Sequence, residues 1–148
     1  MKLQQAFNEH RRSFTGALLT TYVFNSDYFE GTLLPILRRK SLSGDTVICT
    51  DAGAYQDTLD DDDVQPSHTG DDYYLCPMRL SQGRFHPKVY FFGDKDRAIG
   101  FVGSANLTSS AFDQNREVIT QFDVSNTDDE NQDPDIHGLA GIHRFYRT

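Results

Sequence analysis

Five side chains between positions 86 and 117 have the types and spacing to act together on an anionic group: His86, Lys88, Ser104, Asn106 and Glu117. An imidazole can attack an electrophile or carry a proton near neutral pH. Side chains two apart on a strand share a face, so His86 and Lys88 are expected side by side, with the lysine supplying positive charge. Ser104 and Asn106 add neutral donors. Gly103 before them would let a backbone approach a ligand. Residues 105–112 read as a short helix, whose first free N–H groups would favour an anion. Glu117 opens the next strand candidate and could hold the imidazole by its second nitrogen. Each feature alone is commonplace. A His-x-Lys pair usually faces solvent, Gly-Ser-x-Asn is usually a turn or helix cap, and a single glutamate is usually ion-paired. Their combination, each at an element end or on a strand face, points to an anion site holding a reactive base.

The surrounding elements must bring these residues together. Residues 14–24, FTGALLTTYVF, are apolar and rich in β-branched and aromatic types, which predicts a buried strand. Asn25, Ser26 and Asp27 offer helix caps, and Asp27 with Glu30 fits a capping box. A helix is expected to about Lys40, with Phe29, Leu33 and Leu37 on one face and Pro35 imposing a kink or a late start. After a turn at Gly44-Asp45, residues 46–50 predict a second strand. Residues 51–72 are polar and acidic and read as a long loop. Asp60 to Asp63 lack the spacing of a calcium loop. Further strands are expected at 73–78, 85–92, 98–104 and 116–124, with a turn at 93–96. An acidic loop, 125–135, precedes a last helix marked by Ile136, Leu139 and Tyr146. This order predicts a single α/β domain over 1–148, alone or as a module of a larger protein or system, with a central mixed β-sheet flanked by helices.

Composition narrows the partners. A chain of 148 residues suits one domain, and 7 tyrosines and 11 phenylalanines offset a hydrophobic fraction of 37%. No apolar run approaches the ~20 residues of a membrane span, and the first residues lack the apolar core of a signal peptide. A cytoplasmic protein with no membrane partner is expected. Cys49 and Cys76 lack zinc spacing and read as buried thiols. The net charge of −8 works against binding nucleic acid, whose recognition rests on phosphate neutralisation. Arg79, Arg84, Arg97 and Arg116 could still form a local basic rim. The Asp-rich, Lys-poor composition also suits a surface adapted to high salt.

His86-x-Lys88, then Gly103-Ser104-Ala105-Asn106, then Asn115-Arg116-Glu117 resembles the motif of the phospholipase D superfamily. The likeness is closest to its nuclease-type members, including restriction endonucleases with a single motif. The opening LLTTYVFNSDYFEGTLLPIL is similar to the start of such domains. One departure concerns the Asp that the family often places five residues after the Lys: here that position is Gly93, with Asp94 one step later. The resemblance implies a phospholipase-D-like fold and a metal-independent phosphodiesterase, most simply a nuclease acting on DNA or RNA, with no cofactor. It implies that His86 forms a phosphohistidine, that Lys88, Asn106 and Ser104 stabilise the charged phosphorus, and that Glu117 orients His86. A second histidine must protonate the leaving oxygen. His10, His68, His137 and His143 lie in no second motif, so the resemblance implies a homodimer with the site shared between two chains. The expected contact surface is 98–112. The alternatives are a lipid or small-molecule phosphodiester hydrolase, and an inactive binding or scaffold module.

Overall fold

The computed structural model describes residues 14–39, 45–62, 65–94 and 97–125. Six strands form one sheet: β1 (Gly16–Thr21), β2 (Thr46–Asp51), β3 (Tyr74–Met78), β4 (Val89–Gly93), β5 (Arg97–Gly103) and β6 (Ile119–Ser125). Their order is β3-β2-β1-β4-β5-β6. The β1–β2 and β2–β3 pairs are parallel, whereas β1–β4, β4–β5 and β5–β6 are antiparallel. The expected α/β domain with a central mixed sheet is the architecture observed.

Strand register builds the core. Leu75, Ile48, Leu19, Tyr90 and Phe101 are successive cross-strand partners on one row. Ala17, Phe92 and Ile99 form the neighbouring row. Each strand alternates, so one face of the sheet collects these side chains while Leu18, Val47, Cys49 and Phe91 take the other and are only half-buried. Against the first face lies α1, residues 26–39, which buries Phe29, Leu33 and Leu37 as its spacing predicts. Burying a side chain of this size contributes about 1.5–3 kcal/mol.

The cap of α1 differs from expectation. Asn25 Oδ1 accepts from Tyr28 N at 2.7 Å, so Asn25 is the cap and no Asp27–Glu30 box forms. Glu30 turns outward instead and binds the 67–73 segment. Pro35 does not break the helix. Its missing N–H is accommodated behind a π-wound turn, Phe29–Leu33, set between α-helical Ser26–Tyr28 and Leu34–Arg39.

The expected loop over 51–72 contains a helix, α2 (Ala52–Asp62). Its start is fixed by Asp51, whose Oδ1 accepts from Ala54 N at 3.0 Å. Ala54 is buried and Tyr55 packs against the core. A run of aspartates at the C-terminal end opposes the helix dipole, which is why polar composition alone read it as loop. β4 and β6 begin later than expected, at Val89 and Ile119, so His86, Lys88 and Glu117 occupy the segments leading into them. The Gly44 turn residue, the 125–135 loop beyond Ser125 and the last helix lie outside the described residues.

Candidate active site

His86 and Lys88 meet as their spacing predicts. Lys88 Nζ lies 2.7 Å from Nδ1 and 3.0 Å from Nε2 of His86, and 3.2 Å from the His86 carbonyl oxygen. An ammonium has donors only, so it meets the ring through a nitrogen lone pair. His86 is exposed, whereas Lys88 is 7% exposed. Burial holds the Lys88 ammonium below the usual lysine value, and the Glu117 charge works in the opposite direction. The lysine is therefore a desolvated cation beneath an accessible imidazole.

Sequence reasoning missed Tyr22, which follows β1. Its ring stands 4.6 Å from the His86 ring, centroid to centroid, tilted by 37°. The Lys88 ammonium lies 5.7 Å from the Tyr22 centroid, within cation–π range. Tyr22 N also donates to Asn106 Oδ1 at 3.2 Å, as does Val23 N. One residue thus touches His86, Lys88 and Asn106. Two backbone donors at one end of the Asn106 amide identify that end as the oxygen, leaving its NH2 group as the end available to a ligand.

The 104–108 segment is not the start of a helix. Its backbone groups go to distant partners: Ser104 N donates to Val118 O, Leu107 N to Thr21 Oγ1, Asn25 N to Leu107 O, and the Tyr90 hydroxyl to Ala105 O. Helical winding begins only with a π turn at Ser110–Gln114. The expected row of free N–H groups at a helix start is therefore not what this segment offers. Gly103 is small for another reason too. A Cβ there would stand 2.0 Å from Val118 O, so the glycine admits the chain entering β6 rather than a ligand.

Ser104 and Glu117 form a pair of their own. Ser104 Oγ donates to Glu117 Oε2 and accepts from Val118 N, while Asn115 Nδ2 lies 3.4 Å from Glu117 Oε1. Among the described residues the Glu117 carboxylate bonds Ser104 and Asn115, not the His86 ring. Asp94, the displaced aspartate, accepts from Arg97 N at 2.8 Å and closes the β4–β5 turn. His68 lies 2.8 Å from Asp72 beside Glu30, on the segment leading to β3. His10, His137 and His143 lie outside the described residues. Cys49 and Cys76 are free, half-buried and in register across β2 and β3, and burial with the Cys76 neighbour pushes the Cys49 thiol up to about 11. No three His, Cys, Asp or Glu side chains among the described residues could hold a metal ion together, and no helix among them is long and apolar enough to cross a membrane.

Residues 50–131 match the family described as cardiolipin synthase, PLD-like domain. No curated protein matches the chain. Among solved structures it is similar to NucT from Helicobacter pylori, with 19% identity and a TM-score of 0.58 over 98% of this chain and 82% of that one. It is also similar to a mutant yeast tyrosyl-DNA phosphodiesterase, at 12% identity and TM-score 0.59, where it spans 95% of this chain but 35% of that one. Nuc from Salmonella typhimurium, a phospholipase D family member, gives 14% and 0.51 over 97% and 82%. A family match over more than half of its length, with the same fold in these structures, makes this chain a member of the phospholipase D superfamily, carrying a PLD-like domain of the phosphodiesterase fold.

Proposed function

We propose that the chain is a metal-independent nuclease, hydrolysing DNA or RNA through a phosphohistidine at a site shared by two chains. The observation that carries this reading is the accessible His86 imidazole held against the buried Lys88 ammonium, with the Asn106 amide tied to the same turn by Tyr22. A phosphate oxygen entering beside Lys88 draws the ammonium protons to itself and releases the ring nitrogen. That nitrogen attacks phosphorus. The P–N bond forms as the P–O bond to the leaving group breaks, and a histidine of the second chain gives the leaving oxygen its proton. The same histidine then deprotonates water, which displaces His86 and restores it. Lys88 and the Asn106 NH2 group stabilise the charge that grows on the phosphoryl oxygens. In this geometry Glu117 acts through Ser104 and on the charge of Lys88, and Tyr22 takes over the orienting of His86. The nuclease-type names among the structural relatives support a nucleic-acid substrate.

The test runs wild type and His86→Ala on single-stranded DNA, RNA, a chromogenic diester and phosphatidylcholine, each with and without EDTA. Wild type is expected to cleave nucleic acid and the chromogenic diester equally well in chelator, and His86→Ala to lose turnover and the covalent phosphoenzyme. Activity lost to EDTA and restored by magnesium or zinc would refute the mechanism. Activity on phosphatidylcholine alone would establish the lipid hydrolase instead.

A further inference from the structure

Beside the His86 segment lies a cleft of about 300 Å³ between the start of α2 and the 78–84 stretch. Its volume is at the lower end of the roughly 300–1,000 Å³ typical of small-ligand sites. Arg79 and Arg84 line it, and Met78 and Leu80 form an apolar wall, with Leu80 45% exposed. Buried Asp51 organises this wall. Its carboxylate accepts from Ala54 N, Phe85 N and Arg84 Nη1, at 3.0, 2.9 and 3.2 Å. Burial alone would raise the Asp51 carboxyl, but these bonds hold it below the usual range. With one guanidinium nitrogen fixed on Asp51, the other Arg84 donors remain for a ligand, and Arg79 is exposed. Gly53 makes the room: a Cβ there would lie 2.3 Å from Arg84 Nη1. Two guanidiniums against one carboxylate leave the cleft with net positive charge in a chain of −8.

The same carboxylate ties the cleft to the reactive histidine, because Phe85 N, which it accepts, adjoins His86. Arg84 and His86 are two residues apart, so their Cα atoms lie within ~7 Å. A cationic cleft one short step from a phosphate-reactive imidazole fits a substrate with a second phosphate beside the scissile one. From this geometry we infer that the cleft is a second phosphate subsite, which takes the neighbouring phosphodiester of a polynucleotide strand and lays its nucleoside against Met78 and Leu80. The inference rests on the nuclease reading and deepens it: substrate is selected as a strand, not as a single-phosphate headgroup. Planar guanidiniums suit bidentate binding of phosphate, and the apolar wall is too small to seat on a bilayer.

Arg79→Ala and Gly53→Ala test it without disturbing the reactive groups. Arg79 is exposed, and alanine is favourable in the first turn of α2, where its Cβ displaces only the flexible Arg84 end. Binding of a fluorescent single-stranded DNA oligonucleotide and hydrolysis of both that strand and bis(p-nitrophenyl) phosphate are measured. Each variant is expected to weaken strand binding about tenfold and to lower its salt slope by about one. The loss in kcat/KM should be about tenfold larger for the strand than for the small diester. Wild-type strand affinity in both variants overturns the subsite, as does equal loss on the two substrates. So does a loss confined to vesicles of phosphatidylglycerol, which would assign the cleft to lipid headgroups. Failure of the wild type to hydrolyse either diester refutes the nuclease reading instead, and the strand-binding comparison still decides the subsite.

Discussion

An imidazole nucleophile needs one nitrogen held toward phosphorus, and an exposed ring with a single lysine contact can rotate away from it. Tyr22 limits that rotation. Its ring supports His86 on one side and presents a π face to Lys88. Contacts of these two kinds contribute about 0.5–2 kcal/mol each. Tyr22→Leu keeps the apolar bulk and removes the π face, so kcat should fall about tenfold with little change in KM, while Tyr22→Phe should stay close to wild type. The pH profile separates positioning from general damage. A cation–π contact favours the charged ammonium, and burial already lowers Lys88. Losing the contact lowers it further, so the alkaline limb of kcat should move to lower pH in Tyr22→Leu and stay in place in Tyr22→Phe. An unmoved limb with a full loss of kcat would assign Tyr22 a purely structural part. The five motif residues were legible because their side-chain chemistry is specific. Tyr22 was not, since an aromatic residue in an apolar run reads as core, and nothing local says that the end of β1 lies beside position 86.

Two carboxylates hold the elements in register, and both predict behaviour in acid. Glu30 on α1 accepts from the backbone N–H of Ser67 and His68, the Ser67 hydroxyl and the Tyr73 hydroxyl, which pins the segment before β3 onto the helix. Burial would raise the Glu30 carboxyl, but these four donors lower it overall, as the bonds to Asp51 lower that group. A folded value below the unfolded one contributes stability that is complete above about pH 4.3, the unfolded glutamate value, and is lost as pH falls through the folded value. Denaturant midpoints should therefore drop steeply below about pH 4, and Glu30→Gln should flatten that limb. At pH 7, Glu30→Ala should cost about 2 kcal/mol by leaving donors without their acceptor. An acid limb identical in Glu30→Gln and wild type would contradict this. The strands were legible from alternation and β-branched content, and α1 from its spacing and cap residues. α2 was hidden because its start depends on the Asp51 side chain and its packing on Ala54 and Tyr55, while its composition is that of a solvated loop. The 104–108 segment was misread for the converse reason. Its local sequence permits a helix, but tertiary partners from β1, β4 and the approach to β6 take its backbone groups.

At the scale of the whole molecule, chemistry and charge pull in opposite directions. The proposed mechanism needs two histidines across one phosphate, and the motif supplies one per chain. Two chains of charge −8 repel one another at long range. Pairing must therefore rest on apolar contact close to the site, and salt should strengthen it by screening the repulsion, with a Debye length of ~10 Å at 0.1 M and ~3 Å at 1 M. The structure moves the contact surface from where the sequence suggested it. β5, the strand within 98–112, is paired on both edges by β4 and β6, so its backbone is not available to a partner. Val118 is available: it is 77% exposed and follows Glu117, whose carboxylate holds Ser104. A two-fold axis near Val118 would make a self-complementary patch and bring two His86 rings toward one pocket. Sedimentation across a concentration series should show a dimer that tightens between low and molar potassium chloride, and Val118→Glu should shift it to monomer. Mixing wild type with an excess of His86→Ala should reduce wild-type activity as mixed pairs form, because each shared site then lacks one histidine. A monomer that is fully active, or activity untouched by the mixing, would place both catalytic steps within one chain and overturn the shared site.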